Sequence, residues 1–110
     1  MSRDRPLMVG IDTETTGLDP LSDRIIDVGA VRLDDALRVT DRFTTLVDPG
    51  VPIPLFVTRL TGIGDADVAG APGIAEALAR LRAFAGDAIR VAPNAAFDRA
   101  HLAAAARRTG

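Results

Sequence analysis

Two acidic residues close an apolar run near the start of the chain. Residues 7–11 are apolar or glycine, and Asp12 and Glu14 follow them. A short apolar run of this kind is typical of a buried β-strand. Side chains two residues apart in a strand lie on the same face, so both carboxylates are expected on one face of a sheet. Their repulsion is offset if a divalent cation binds between them, because Mg²⁺ and Mn²⁺ prefer oxygen ligands.

The composition limits the classes of protein to which the chain can belong. Its 110 residues suffice for one domain, and 47% of them are hydrophobic, which allows a buried core. The formal net charge of -2 gives no overall positive field to attract nucleic acid. The absence of Cys excludes disulfides and thiolate sites and agrees with a cytoplasmic location. No apolar segment approaches the roughly 18 residues of a membrane span, so no membrane partner is expected.

Three strands are predicted in the first half of the chain. They cover residues 6–12, 24–33 and 37–47. Because polar or glycine-containing turns connect them over short distances, they are expected to form an antiparallel meander. In the second strand, the apolar residues Ile26, Val28 and Ala30 alternate with other residues and are expected on one face.

The second half of the chain predicts an alternation of helix and strand. The predicted elements are a short helix from Pro54 to about Gly62, a helix from Ile74 to Gly86, a strand over 88–92 and a helix from Ala95 to about Arg108. Residues 64–73 are expected to be irregular, and Asn94 is a candidate N-cap. Because the fourth strand follows a helical crossover, it can lie parallel to the first. The prediction is therefore an α/β fold with a mixed sheet and packed helices.

Three segments form a pattern that is more specific than the first acidic pair alone. They are Val9–Leu18, Arg24–Val31 together with Leu60–Ile63, and Asn94–Leu102. With these segments the chain resembles the DnaQ-like, or DEDD, 3′–5′ exonuclease family, over about residues 6–108. The resemblance implies an RNase H-like fold and removal of nucleotides from single-stranded 3′ ends of DNA or RNA. It includes proofreading or repair exonucleases such as DNA polymerase III epsilon-like proteins, with a DNA polymerase subunit as a partner.

The resemblance also implies roles for individual residues. Asp12, Glu14 and Asp98 match metal-binding carboxylates of the family, which uses two Mg²⁺ or Mn²⁺ ions to activate a water and stabilise the departing 3′ oxygen. The residues that match the binding site of the terminal nucleotide are Thr15, Gly17, Leu18, Leu60, Asn94 and Phe97.

The chain departs from the family pattern in two places. Residues 99–110 contain no Asp or Glu, so the family's fourth carboxylate has no match, and neither has the general-base His or Tyr of its third motif. Pro93 stands where relatives commonly have His. We therefore expect residues 1–110 to be a single, C-terminally truncated exonuclease domain without its last strand and helix, with weak activity. The alternative is a catalytically inactive scaffold that binds a polymerase or another protein.

Several of these residues also have a structural interpretation. Asp12 and Glu14 are compatible with ordinary surface acids at a strand end, and Asp98 is favoured by the positive end of its helix. Leu18 and Phe97 are apolar and compatible with the core. Metal-dependent phosphotransfer or endonuclease activity on the same type of sheet is a further possibility, because the fold alone does not define the reaction.

Two further titratable residues are predicted to have no catalytic role. His101, the only His, is expected to be buried against the sheet. Asp27 is not expected to be a metal ligand, because it lies on a different strand from Asp12.

Overall fold

Over the residues that the computed structural model describes, three strands are followed by three helices, a fourth strand and a fourth helix. These are residues 8–86, 89–91 and 95–109, and side chains are described for 8–86 and 100–109. The strands are β1 (Met8–Thr15), β2 (Ile25–Leu33), β3 (Val39–Leu46) and β4 (Ile89–Val91). The helices are α1 (Leu55–Thr61), α2 (Asp65–Val68), α3 (Ile74–Ala85) and α4 (Ala95–Thr109). Within these ranges, no helix has the length and apolar character needed to cross a membrane.

The four described strands form one mixed sheet in the order β3-β2-β1-β4. β1 and β3 each pair with β2 in antiparallel orientation, as expected for strands joined by short loops. β4 pairs with β1 in parallel orientation, with Met8 opposite Ile89 and Gly10 opposite Val91. The connection from β3 to β4 contains α3, which gives the chain the length that a parallel crossover requires. The predicted α/β fold with a mixed sheet is confirmed.

Burial alternates along β1 and distinguishes the two faces of the sheet. Val9, Ile11, Thr13 and Thr15 are buried, whereas the residues between them are more exposed. We call the first side the core face, because Val9 and Ile11 pack there with residues of α3 and α4. That cluster includes Val28, Ala30, Ala77, Leu78, Leu81 and Ala105. The opposite side, which carries Asp12 and Glu14, is called the carboxylate face.

A β-bulge interrupts the alternation in β2. Glu14 pairs with Asp27 but Thr15 pairs with Ile25, so Ile26 is an extra residue in the ladder. Ile26 is fully buried in a second apolar cluster with residues of α1 and α2, separate from the main core. The prediction that Ile26 shares a face with Val28 and Ala30 is therefore wrong, because the inserted residue reverses the alternation.

The turn between β2 and β3 shortens the predicted third strand. Leu37, expected to begin that strand, has a φ of 63°, a left-handed conformation incompatible with a strand. Asp34 stabilises this turn, because its Oδ1 accepts the backbone N–H groups of Ala36 and Arg38, each at 2.9 Å. β3 consequently begins at Val39.

Other boundaries differ by a few residues from the predictions. β1 continues to Thr15, three residues beyond its predicted end. The segment 64–73, predicted to be irregular, contains the single-turn helix α2, where the Asp67 carboxylate accepts the N–H of Gly64 at 2.7 Å. The predicted helices corresponding to α1, α3 and α4 are confirmed. Asn94, the predicted N-cap of α4, lies outside the described residues.

Candidate active site

The C-terminal half of β1 places both predicted metal ligands on the carboxylate face. Asp12 is exposed and Glu14 is partly buried. In the antiparallel pair with β2, Asp12 lies opposite Gly29, and Glu14 lies opposite Asp27. Residues directly opposite each other share a face of the sheet, so Asp27 belongs to the same face as the two predicted ligands. Because Gly29 has no side chain, the space beside Asp12 on this face stays open.

Asp27 experiences the negative charge that this arrangement concentrates. Burial raises the pKa of Asp27, the Asp12 carboxylate raises it further, and the backbone N–H of Val28 opposes these effects. The two carboxylates are thus close enough to repel each other, although they come from different strands. Asp27 and Asp12 lie on different strands, and for that reason Asp27 was not predicted to be a metal ligand. The register of β1 and β2 nevertheless places both residues on the same face of the sheet.

The oxygen-donor set of this face suits a hard divalent cation such as Mg²⁺ or Mn²⁺. Among the described side chains, no three acidic, His or Cys residues are grouped closely enough to hold a metal ion. Asp98, the predicted third ligand, lies in the first turn of α4, and its side chain is outside the described set. Its backbone follows β4, whose last residue Val91 pairs with Gly10, two residues before Asp12. The helix carrying Asp98 therefore begins close to the end of β1 that holds the acids.

The loop that follows β1, residues 16–24, carries Leu18 and is closed by hydrogen bonds at its base. The backbone N–H of Thr16 donates to the carbonyl of Arg24 at 2.8 Å. The N–H of Arg24 donates in return to the Thr16 hydroxyl at 2.9 Å. Thr15 is buried, and its hydroxyl donates to the carbonyl of Gly17. We call this segment the 16–24 loop.

Asp23 organises the interior of the 16–24 loop. Its carboxylate accepts the Thr16 hydroxyl at 3.2 Å and the N–H of Asp19 at 2.9 Å. A Cβ on residue 17 would lie 2.5 Å from Asp23 Oδ2, so any other residue would have to displace this carboxylate. Asp23 is not indicated by the sequence motifs; the available signal is an acid directly before the second strand, in a turn that contains glycine.

Asp19 adds a second set of bonds and connects the loop electrostatically to α4. Its carboxylate accepts the N–H of Leu21 at 2.9 Å and the hydroxyl of Ser22 at 3.1 Å. These bonds, led by that from Leu21, hold the pKa of Asp19 below its usual value, and the charge of His101 contributes in the same direction. His101 is only 2% exposed, which confirms its predicted burial.

Leu18 and Leu60 are both presented to solvent. Each side chain is 83% exposed, Leu18 in the 16–24 loop and Leu60 on α1. The structural interpretation of Leu18 as a core residue is therefore wrong. Phe97 lies in the first turn of α4, but its side chain, like Asn94 as a whole, is outside the described part of the chain.

The chain belongs to the RNase_T exonuclease family, whose sequence model matches residues 9–110. This membership confirms the resemblance to DnaQ-like exonucleases. The fold agrees with the N-terminal part of such a domain.

Curated relatives agree with this family. The chain is 42% identical over 102 residues to the PolC-type DNA polymerase III of Caldanaerobacter subterraneus subsp. tengcongensis, covering 93% of this chain and 7% of the relative. It is 48% identical over 97 residues to a DNA polymerase III subunit epsilon-like protein of Rhodobacter capsulatus, covering 86% of this chain and 14% of the relative. The chain thus spans only a small part of these relatives.

Solved structures give the same fold. Exonuclease X in complex with 5′ overhanging duplex DNA matches with a TM-score of 0.75 and 32% identity, covering 86% of this chain and 53% of that one. Exonuclease I of E. coli, in complex with a dA16 oligonucleotide, matches with a TM-score of 0.78, covering 89% of this chain and 23% of that one. At 20% identity, the second match is evidence of the fold alone.

Proposed function

We propose that this chain acts as a 3′–5′ exonuclease domain that removes nucleotides from nucleic-acid 3′ ends by two-metal-ion hydrolysis. The family supports nuclease activity, while the direction and the metal mechanism are part of the proposal. One observation carries it: Asp12 and Glu14 share the carboxylate face at the end of β1, directly before the loop that exposes Leu18.

In this proposal Asp12, Glu14 and Asp98 bind two Mg²⁺ or Mn²⁺ ions through carboxylate oxygens. When bound, such ions supply activation of the attacking water and stabilise charge on the departing 3′ oxygen. Burial is the larger cause of the raised pKa of Asp27, and the Asp12 carboxylate is the second; divalent cations would offset the repulsion between these two carboxylates.

The terminal nucleotide is proposed to lie beside the 16–24 loop. Leu18 offers an exposed apolar side chain against the base. The hydrogen bonds that the Asp23 carboxylate accepts on either side of Leu18 hold the backbone of the loop in one conformation. Thr15 and Gly17 contribute backbone contacts at the start of the loop. By their match to the family pattern, Leu60, Asn94 and Phe97 complete the nucleotide-binding site.

The relatives favour DNA as the substrate. The cited relatives are named as DNA polymerase III proteins, and the matching structure of exonuclease X contains DNA. We therefore propose a single-stranded DNA 3′ end as the substrate, DNA replication or repair as the process and a DNA polymerase as the partner. The predicted cytoplasmic location agrees with this proposal.

Hydrolysis of an oligonucleotide in the presence of Mn²⁺ or Mg²⁺ tests the proposal. With a 3′-labelled oligonucleotide, this chain should release labelled mononucleotide, and Asp12→Asn should abolish the release. Asp35→Asn is the matched control, because this exposed Asp lies in the turn at the opposite end of β2. Release that survives Asp12→Asn would contradict the metal-ligand assignment. Cleavage of a circular single-stranded DNA, which has no 3′ end, would indicate an endonuclease.

The second candidate function is a catalytically inactive scaffold for a protein partner. Leu55 and Phe56 of α1, which are 63% and 65% exposed, offer an apolar surface that favours it. The same assay separates the two candidates, because strong metal-dependent hydrolysis by this chain would exclude a purely structural role.

A further inference from the structure

Three arginines meet where the 16–24 loop contacts the last turn of α4. Arg108 Nη2 donates to the carbonyl oxygens of Pro20 at 2.7 Å and Asp23 at 3.1 Å. Arg24 Nη1 donates to the carbonyl oxygen of Ser22 at 2.9 Å and also to that of Asp23 at 3.4 Å. Two guanidinium groups therefore share one carbonyl oxygen. We call Arg24, Arg107 and Arg108 the arginine cluster.

The arginine cluster borders an open cleft between the loop and the helix. The cleft has a volume of about 210 Å³ and is lined by Pro20, Leu21, Ala104, Arg107 and Arg108. Leu21 on its rim is 77% exposed. The cleft thus combines positive charge with an exposed apolar side chain, both of which a nucleotide strand can contact.

The positive charges of the cluster act on one another. Burial lowers the pKa of Arg108, and the charges of Arg24 and Arg107 lower it further. The carbonyl groups satisfy hydrogen bonds but carry no net charge to cancel the guanidinium groups. Among the described side chains, arginine–carboxylate ion pairs are made elsewhere, by Arg32, Arg38 and Arg80. The three guanidinium groups thus concentrate positive charge at the end of the 16–24 loop, whose carboxylates, Asp19 and Asp23, accept hydrogen bonds within the loop itself.

The position of these arginines is only partly explained by helix stability. Cations are favoured in the last turn of a helix by the negative end of its dipole, which accounts for Arg107 and Arg108. Arg24 comes from the end of the 16–24 loop, and its approach to them costs repulsion without that benefit. A bound anion would offset this cost, and the planar guanidinium group is well suited to phosphate oxygens.

We propose that the arginine cluster binds the phosphate backbone of the nucleic-acid strand upstream of its 3′-terminal nucleotide. This inference rests on the proposed function, since that function supplies a polyanionic strand with its end at Asp12 and Glu14. The 16–24 loop joins the two places: it begins two residues after Glu14, exposes Leu18 and Leu21, and ends at Arg24. Because α4 packs on the core face, a strand whose end lies at Asp12 and Glu14 would have to follow this loop around the edge of the sheet to reach the cluster.

Binding of single-stranded DNA without turnover tests the inference. We would measure fluorescence anisotropy of a labelled oligothymidylate of about 12 nucleotides, a length within the range of known single-strand sites. Ca²⁺ replaces the reactive ion, and the salt concentration is varied between about 50 and 200 mM. The variants are Arg107→Ala and Arg24→Ala/Arg107→Ala, and Arg108 is kept because it holds the loop. Arg82→Ala is the matched control, being an exposed arginine in the last turn of α3.

Arg107→Ala should weaken binding several-fold and reduce the slope of log K against log salt by about 0.7, the value for one phosphate contact on a single strand. The double variant should lose about twice that slope, and Arg82→Ala should match the unmodified chain. Equal losses in Arg107→Ala and Arg82→Ala, or no loss in the double variant with its thermal unfolding unchanged, would overturn the inference. The proposed function is tested separately by hydrolysis. If mononucleotide is released but binding does not depend on the cluster, only the inference is rejected. Cluster-dependent binding with no hydrolysis rejects only the exonuclease.

Discussion

Alternate residues of β1 lie on two faces of the sheet that have different roles. On the core face, Val9 and Ile11 are buried among the side chains of α3 and α4. On the carboxylate face, Asp12 is exposed, and its charge helps to raise the pKa of Asp27 on the neighbouring strand. The first face gains stability from apolar burial, whereas the second concentrates repulsive charge. Changes on the core face should therefore act on stability, and changes on the carboxylate face should act on activity.

The largest effect is expected for the hydrolytic activity of Asp12→Asn. Loss of a metal ligand should lower the rate by about 1,000-fold or more, because bound cations contribute several kcal/mol of transition-state stabilisation. The melting temperature should be unchanged or higher, since a repelling charge is removed. Single-turnover hydrolysis and thermal unfolding measured on the same sample check this. A large fall in melting temperature would contradict the division between the two faces.

The neighbouring residue on the core face should show the opposite behaviour. Ile11→Ala should lower the free energy of unfolding by about 2–4 kcal/mol, because it leaves a cavity between β1 and α3. Urea denaturation measures this loss, and Ile11→Val should cost only about 1 kcal/mol. Activity per folded molecule should be retained in both variants. If Ile11→Ala were fully folded and as inactive as Asp12→Asn, the faces would not be independent.

Gly17→Ala should have an effect of intermediate size, and it should lower both stability and substrate binding. A Cβ 2.5 Å from Asp23 Oδ2 must displace this carboxylate, at a cost of about 1–3 kcal/mol in the free energy of unfolding. The displacement should also raise KM for the oligonucleotide more than it lowers kcat, because it moves Leu18. Gly73→Ala is the control, since a Cβ there would meet no atom within 4 Å. Identical kinetics of the two variants would show that the loop conformation is unimportant for binding.

The smallest effect is a pH-dependent change in stability for Asp27→Asn. The pKa of Asp27 is raised above its ordinary value of 3.8 in the folded chain, so the folded state binds this proton more strongly than the unfolded state does. The destabilising contribution is complete above the folded pKa and disappears as the pH falls towards 3.8. Asp27→Asn should therefore be more stable than the unmodified chain at pH 7, by a margin that shrinks on acidification. Urea denaturation over this pH range measures the margin, and its growth at low pH would contradict the pKa direction.

The elements that could be predicted from the sequence are those defined by local patterns. The apolar spacing from Ile74 and the stop at Gly86 predict α3, and the acidic pair after an apolar run predicts the site on β1. The bulge at Ile26 could not be predicted, because an extra residue is defined only by the pairing of two strands. The position of Asp27 beside Asp12 depends on the same register.

The interior of the 16–24 loop was equally inaccessible from local patterns. Asp23 is one of several acids in a polar segment, and its role depends on where its carboxylate lies relative to Gly17. The contribution of Arg108 depends on a contact between residues 85 positions apart in the chain. Such contacts follow from tertiary packing, which residue spacing along one segment does not encode.

The contact of Arg108 with the 16–24 loop has a consequence for the order of folding. During synthesis, β1, β2 and β3 leave the ribosome well before the guanidinium group that braces the loop at Pro20 and Asp23. The nascent hairpins can pair early through local contacts, while this long-range closure must wait for α4 to dock. The 16–24 loop, which is proposed to bind the terminal nucleotide, thus reaches its final conformation late, after the sheet that supports it has formed.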